Sequence, residues 1–270
     1  MKRIVLPFFL LFMLFSCNDN KNVQQEKSID TADSTVVEKV LPTDEVVSED
    51  ADFKNDFDIL LPTSYRTWEN KNPATALTKN WTDLYEKNGR FYLGKANFKL
   101  ENGYDECAGD STKIINSSTK TLLFMDLPEL KSGEIKSLKI DKNKIWPKEK
   151  ITLVFDGVEC FLRAEGEVLS SEKVITDGGN EEIFQNVKNY KLYISTKNSP
   201  EKLLLQEASF NDTFVELLFA GDIDGDGKLD FIFGANRDYE EERVILFLSS
   251  KAGSENSVRK VAEIAVQFDC

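Results

Sequence analysis

Two dipeptides, Asn88-Gly89 and Asp156-Gly157, each lie beside short runs of apolar and β-branched residues. Such pairs accept the left-handed backbone of a two-residue hairpin turn, and the runs on either side must then pair as antiparallel strands. The residue pattern agrees. Tyr92, Gly94, Ala96, Phe98 and Leu100 alternate with Leu93, Lys95, Asn97 and Lys99, the period-two pattern of a half-buried strand. Further strand-like runs cover residues 112–115, 121–125, 151–155, 158–164, 190–196, 202–206, 214–219, 230–233, 244–248 and 261–268, with turn residues between them. Strands recurring roughly every ten residues predict a mainly β fold. The expected architecture is an antiparallel β-sandwich, or open barrel-like sheets, with little helix.

Two stretches are ambiguous. Ala74, Leu77, Trp81, Leu84 and Tyr85 have helical spacing behind Pro73, yet 81–85 also reads as the first arm of a hairpin across Asn88-Gly89. The favoured reading is a short helix that ends before a strand near Trp81. Residues 170–185, with Ser170-Ser171 and Asp177-Gly178-Gly179-Asn180, read as a loop or as a join between two subdomains. No repeat of fixed period is found.

Composition removes several functions. There is no histidine, so Ser-His-Asp and Cys-His nucleophilic sites and His-ligated zinc are excluded. The net charge of −13 repels phosphate backbones, so no nucleic-acid partner is expected. Apolar residues make up 41% of the chain, enough for a packed core.

The acidity is concentrated near the start. Residues 18–58 hold 12 acidic and 4 basic side chains, a net −8. High charge with low hydrophobicity predicts that 17–58 is a disordered, extended tether ahead of a globular domain over 59–270. Before it come basic Lys2 and Arg3, an unbroken apolar run over 4–15, then Ser16-Cys17 and polar residues. A bilayer span needs about 20 apolar residues, so this run has the length of a signal-peptide core rather than of an anchor. It resembles a bacterial lipoprotein signal of the Bacteroidota type, with Phe15 in place of the usual small residue. The resemblance implies a signal peptide over 1–16, cleavage before Cys17 and acylation of Cys17 with palmitate-type chains. The membrane is then a partner through the lipid, and the location is the cell envelope, on the outer membrane, with the face undecided. Two tripeptides in the tether, Asp30-Thr31-Ala32 and Asp33-Ser34-Thr35, resemble O-glycosylation acceptors of the same bacteria.

One motif carries specific chemistry. Asp222, Asp224, Asp226 and Asp230 follow the order D-x-D-x-D-G-x-x-D. Calcium takes about 6–8 hard oxygen ligands, and positions 1, 3 and 5 of a tight loop point inward. Gly227 permits the sharp turn after the third aspartate. Without a cation these carboxylates would repel and raise one another's pKa. An EF-hand needs Glu at position 12 and helical flanks, whereas Phe233 stands there and the flanks read as strands. The loop resembles that of FG-GAP and VCBS-type repeats. The resemblance implies a Ca²⁺ site formed by Asp222, Asp224, Asp226, the Lys228 carbonyl and Asp230. Those families stack several repeats, and only one loop is present here, so neither a propeller nor an adhesion role follows. The ion either pins a hairpin or bridges directly to a ligand.

The remaining candidates are weaker. With Cys17 acylated, Cys107, Cys160 and Cys270 allow at most one internal disulfide, and sequence does not assign the pairing. Asp105, Glu106 and Asp110 form an acidic group of the kind a glycosidase uses, but such groups arise by chance in a chain with 47 acids. Trp68, Trp81 and Trp146 are expected to pack in or near the core rather than to stack on sugars. The reading carried forward is a tethered, non-enzymatic binding or accessory module with one structural calcium, for a glycan or protein ligand of unknown identity. An exported carboxylate-dependent hydrolase and a purely structural envelope protein are the alternatives.

Overall fold

The computed structural model describes residues 53–176, 179–210, 213–254 and 256–268, with backbone alone for 174–176 and 179–185. The expected signal peptide, the acylated Cys17, most of the tether, Thr31, Ser34, Asp177, Gly178 and Cys270 lie outside these residues.

The described chain is built from strands. In chain order they are β1 (Ile59–Leu60), β2 (Ser64–Arg66), β3 (Thr82–Lys87), β4 (Arg90–Lys95), β5 (Phe98–Asp105), β6 (Asp110–Ser117), β7 (Lys120–Met125) and β8 (Gly133–Glu134). Then follow β9 (Lys150–Phe155), β10 (Val158–Thr176), β11 (Gly179–Thr196), β12 (Ser199–Ser209), β13 (Glu216–Gly221), β14 (Asp230–Gly234), β15 (Glu241–Leu248) and β16 (Arg259–Gln267). All pairings are antiparallel. Four sheets result, in the orders β1-β7-β3-β4-β8, β2-β6-β5, β12-β11-β10-β9 and β13-β14-β15-β16. The expected mainly β fold of antiparallel sheets is what forms.

Both turn dipeptides behave as their chemistry requires. Asn88 and Gly89 have φ of 55° and 75°, and they join β3 to β4. Asp156 and Gly157, at 49° and 78°, join β9 to β10. The helical spacing after Pro73 yields only one 3₁₀ turn, Pro73–Ala76, capped by the Asn72 side chain, and strand begins at Thr82.

Two expectations change in the fold. The alternation over 92–100 is not one strand. The chain breaks at Ala96-Asn97 and passes from the β4 sheet to the β5 sheet. Ala96 is buried and donates its N–H to the Trp81 carbonyl at 2.9 Å, which anchors the crossover. The tether also ends earlier than its composition predicts. Asn55 and Asp56 lie against β16, where the Asp56 N–H donates to the Val261 carbonyl at 2.8 Å and the Asn55 side chain bonds both the N–H and the C=O of Glu263 at 2.9 Å. An amide side chain can imitate a strand partner, and composition does not register that.

The four-stranded β13–β16 sheet carries buried apolar residues on both of its faces. Phe219, Ile232, Val244, Leu246 and Leu248 join a core with Leu84, Leu93, Ile115, Leu123 and Phe124 from the N-terminal sheets. Leu217, Phe231, Phe233, Ile245 and Phe247 join a second core with Leu162, Tyr190, Leu192 and Ile194. This explains why β14 and β15 read as continuous apolar runs instead of alternating ones: a strand covered on both sides has no solvent face. A bulge between Leu217 and Phe219 sends these two residues to opposite cores, although they are two positions apart. Residues 170–176 and 179–185, read from the sequence as part of a loop or a join, instead belong to the distal part of the long strands β10 and β11, whose register shifts three times beyond Glu165.

Candidate metal centre

The aspartate loop connects β13 to β14 at one end of the central sheet. It starts at Asp222, immediately after β13, and Asp230 is the first residue of β14. Gly225 and Gly227 take φ of 80° and 83°, so the tight turn uses two glycines where the sequence reading singled out only Gly227. Ligand-type oxygens of Asp222, Asp224 and Asp226 lie within 4.8 Å of one another. Loop amides support them. Gly225 and Gly227 donate to the two oxygens of Asp222 at 2.8 and 3.0 Å, and the Lys228 N–H donates to Asp226 Oδ1 at 2.9 Å.

Asp230 stands apart from that group. It is fully buried, and its carboxylate accepts from the Ile223 N–H at 2.7 Å, the Ser249 N–H at 2.7 Å and the Ser249 hydroxyl at 2.8 Å. Burial pushes its pKa up to about 7, with the Asp224 charge adding to the rise and the Ser249 contacts opposing it. Thus Asp230 fastens the loop to the end of β15. The Lys228 ammonium lies 3.8 Å from Asp226 Oδ2 and is mostly in solvent.

Sequence reasoning missed Ser249 and Ser250. The Ser249 hydroxyl is 3.0 and 3.1 Å from the Asp226 oxygens and 2.8 Å from Asp230 Oδ1, while the Ser250 hydroxyl donates to Asp224 Oδ2. Nothing in the sequence signals these contacts, since the serines follow β15 and reach the loop only through its pairing with β14. A serine hydroxyl has one proton, and Ser249 faces three carboxylate oxygens. The Ser249 proton is thus shared between Asp226 and Asp230. The donor chemistry fits calcium: hard carboxylate oxygens gathered at a loop with two glycine turns.

The Asp105 carboxylate accepts from Arg66 at 2.8 Å and from the Cys107 and Ala108 amides, and the Arg66 contact holds its pKa below the usual range. Cys107 is disulfide-bonded, and Cys160 is a buried free thiol. Trp81 and Trp146 are buried as expected, but Trp68 departs from the expectation: it is exposed, between β2 and the Pro73 turn. Two further ionic features carry no sequence signature. Arg243 is buried on β15 between Glu207 and Glu263. Asp83 is buried on β3, with Oδ2 accepting from Thr119 at 2.9 Å and Oδ1 lacking a hydrogen-bond partner.

No family model matches the sequence, and no curated protein or solved structure is significantly similar to it. Among the described residues, no helix is long and apolar enough to cross a membrane.

Proposed function

We propose that this chain is an exported lipoprotein, held in the cell envelope through acylated Cys17, whose β-rich domain is a non-enzymatic binding or accessory module with one structural calcium site. The observation that carries the metal reading is the convergence of Asp222, Asp224 and Asp226 at the end of a sheet buried on both faces. These three carboxylates and the Lys228 carbonyl take the ion. Asp230 and Ser249 hold the loop in place from behind. The role is structural, because the loop ties β13 and β14 to the end of β15. The anchoring part of the proposal rests on the signal-like run over 4–15 followed by Ser16-Cys17.

The test is thermal unfolding of the purified domain in EDTA and in 2 mM calcium. Extracellular calcium modules bind at about 10⁻⁴–10⁻³ M, so 2 mM calcium stabilises by about 0.6–1.8 kcal/mol. For a domain of this size the melting temperature rises by about 1–7 °C. Asp226→Ala should remove the rise. Equal melting temperatures in EDTA and calcium would refute the metal reading. For the anchor, mass spectrometry of the native protein should find Cys17 at the new N-terminus, carrying acyl chains.

A further inference from the structure

A cleft of about 470 Å³ opens beside the aspartate loop, between the end of the central sheet and the β9–β12 sheet. That volume is within the range of small-ligand sites, roughly 300–1,000 Å³. Its wall is apolar, formed by Phe155, Val158, Ile194, Leu229, Phe231 and Val258. Val158 is 56% exposed, so the apolar wall continues out to water. Thr196, Ser254, Asn256 and Ser257 supply hydrogen-bonding groups. The buried free thiol of Cys160 also lines the space.

Charge separates two ligand classes. None of the loop aspartates lines the cleft, and among the described residues that do, Lys228 is the one that carries a charge. Its side chain is 69% exposed and stands 3.8 Å from Asp226, too solvated and too distant for a strong pair. The ammonium is therefore available to a second anion at the mouth.

We propose that this cleft binds a small ligand with an apolar body and an anionic head, the body lying between the two sheets and the head at Lys228. The proposal rests on reading the domain as a binding module and adds the class of ligand. It does not depend on the metal ion.

Two fluorescent probes with one aryl body test it. 1-Anilinonaphthalene-8-sulfonate carries an anionic sulfonate, and N-phenyl-1-naphthylamine does not. Both are titrated into the folded chain in calcium buffer, and N-ethylmaleimide labelling of Cys160 is followed by peptide mapping. Both probes should bind and slow the labelling, with the sulfonate about threefold to tenfold tighter. Lys228→Gln should erase that difference, and Val158→Trp, which fills the cleft, should weaken both probes at least about tenfold. Lys228→Gln alters an exposed side chain, so folding is preserved if Val158→Trp fails to fold. Equal affinities, an unchanged preference in Lys228→Gln, or unprotected Cys160 at saturating probe would overturn the proposal. A lost calcium response with intact probe discrimination refutes the metal reading alone, and the reverse result refutes the cleft.

Discussion

Replacing Arg243 with methionine tests the buried ion cluster on β15. The guanidinium is 2% exposed and donates to Glu207, itself 7% exposed, and to Glu263 Oε2 at 2.9 Å. Burial works against the charged guanidinium, but the two glutamates outweigh it and raise its pKa. Methionine keeps much of the side-chain length and removes the charge. Glu263 retains Lys260 at 2.8 Å and is partly exposed, so it loses little. Glu207 is the residue at risk, since a buried carboxylate that loses its charged partner destabilises by about 3–5 kcal/mol. Protonation sets a ceiling on that penalty. Protonating a glutamate of ordinary pKa near 4.3 costs about 3.7 kcal/mol at pH 7 and about 1 kcal/mol at pH 5. The variant's Glu207 then has a raised folded pKa, so stability is lost as pH rises above its unfolded value. Urea denaturation should therefore show Arg243→Met less stable by about 3–4 kcal/mol at pH 7 and by only about 1 kcal/mol at pH 5. Adding Glu207→Leu should recover most of the loss, because no buried charge remains. A loss below about 1 kcal/mol at pH 7, or one that does not shrink at pH 5, would show that the cluster is not electrostatically closed.

Two further outcomes follow from the fold. Burial raises the pKa of Asp83, against the opposing hydrogen bonds of Thr121 and Thr119, so its stability contribution falls as pH rises from about 4 through the folded value. Asp83→Asn removes that titration; its melting temperature should gain on the wild type as pH rises from about 4 to 8, and a constant gap over that whole range would contradict the assignment. An alanine Cβ at Gly221 would stand 2.5 Å from the Lys136 carbonyl oxygen and 2.8 Å from Ser137 Cα, both backbone atoms. At Gly89 it would meet nothing within 4 Å and suffer only the positive φ of 75°. Gly221→Ala should thus destabilise by more than about 2 kcal/mol and Gly89→Ala by about 1–2 kcal/mol, in that order by chemical denaturation.

The strands, the two hairpin turns and the aspartate loop were readable from the sequence because each depends on near neighbours. Asn-Gly and Asp-Gly carry their backbone preference within themselves, and D-x-D-x-D-G turns its own carboxylates inward with its own amides. The β14 and β15 runs were recognised as strands, but their lack of alternation signalled a sheet covered on both faces, and that requires knowing what covers it. The break at Ala96-Asn97 was hidden because period two continues through a crossover between sheets.

What the sequence determined alone, then, is the class of fold and the loop that gathers the carboxylates of Asp222, Asp224 and Asp226. Tertiary structure decided the rest. Ser249 and Ser250 reach the loop only because β15 pairs with β14, and Arg243 meets Glu207 only because two sheets stack. The cleft at Lys228 exists only where the ends of those sheets separate. Contacts between residues distant in the chain depend on register and layering, and these are set by the packing of the whole domain, not by any local run of residues.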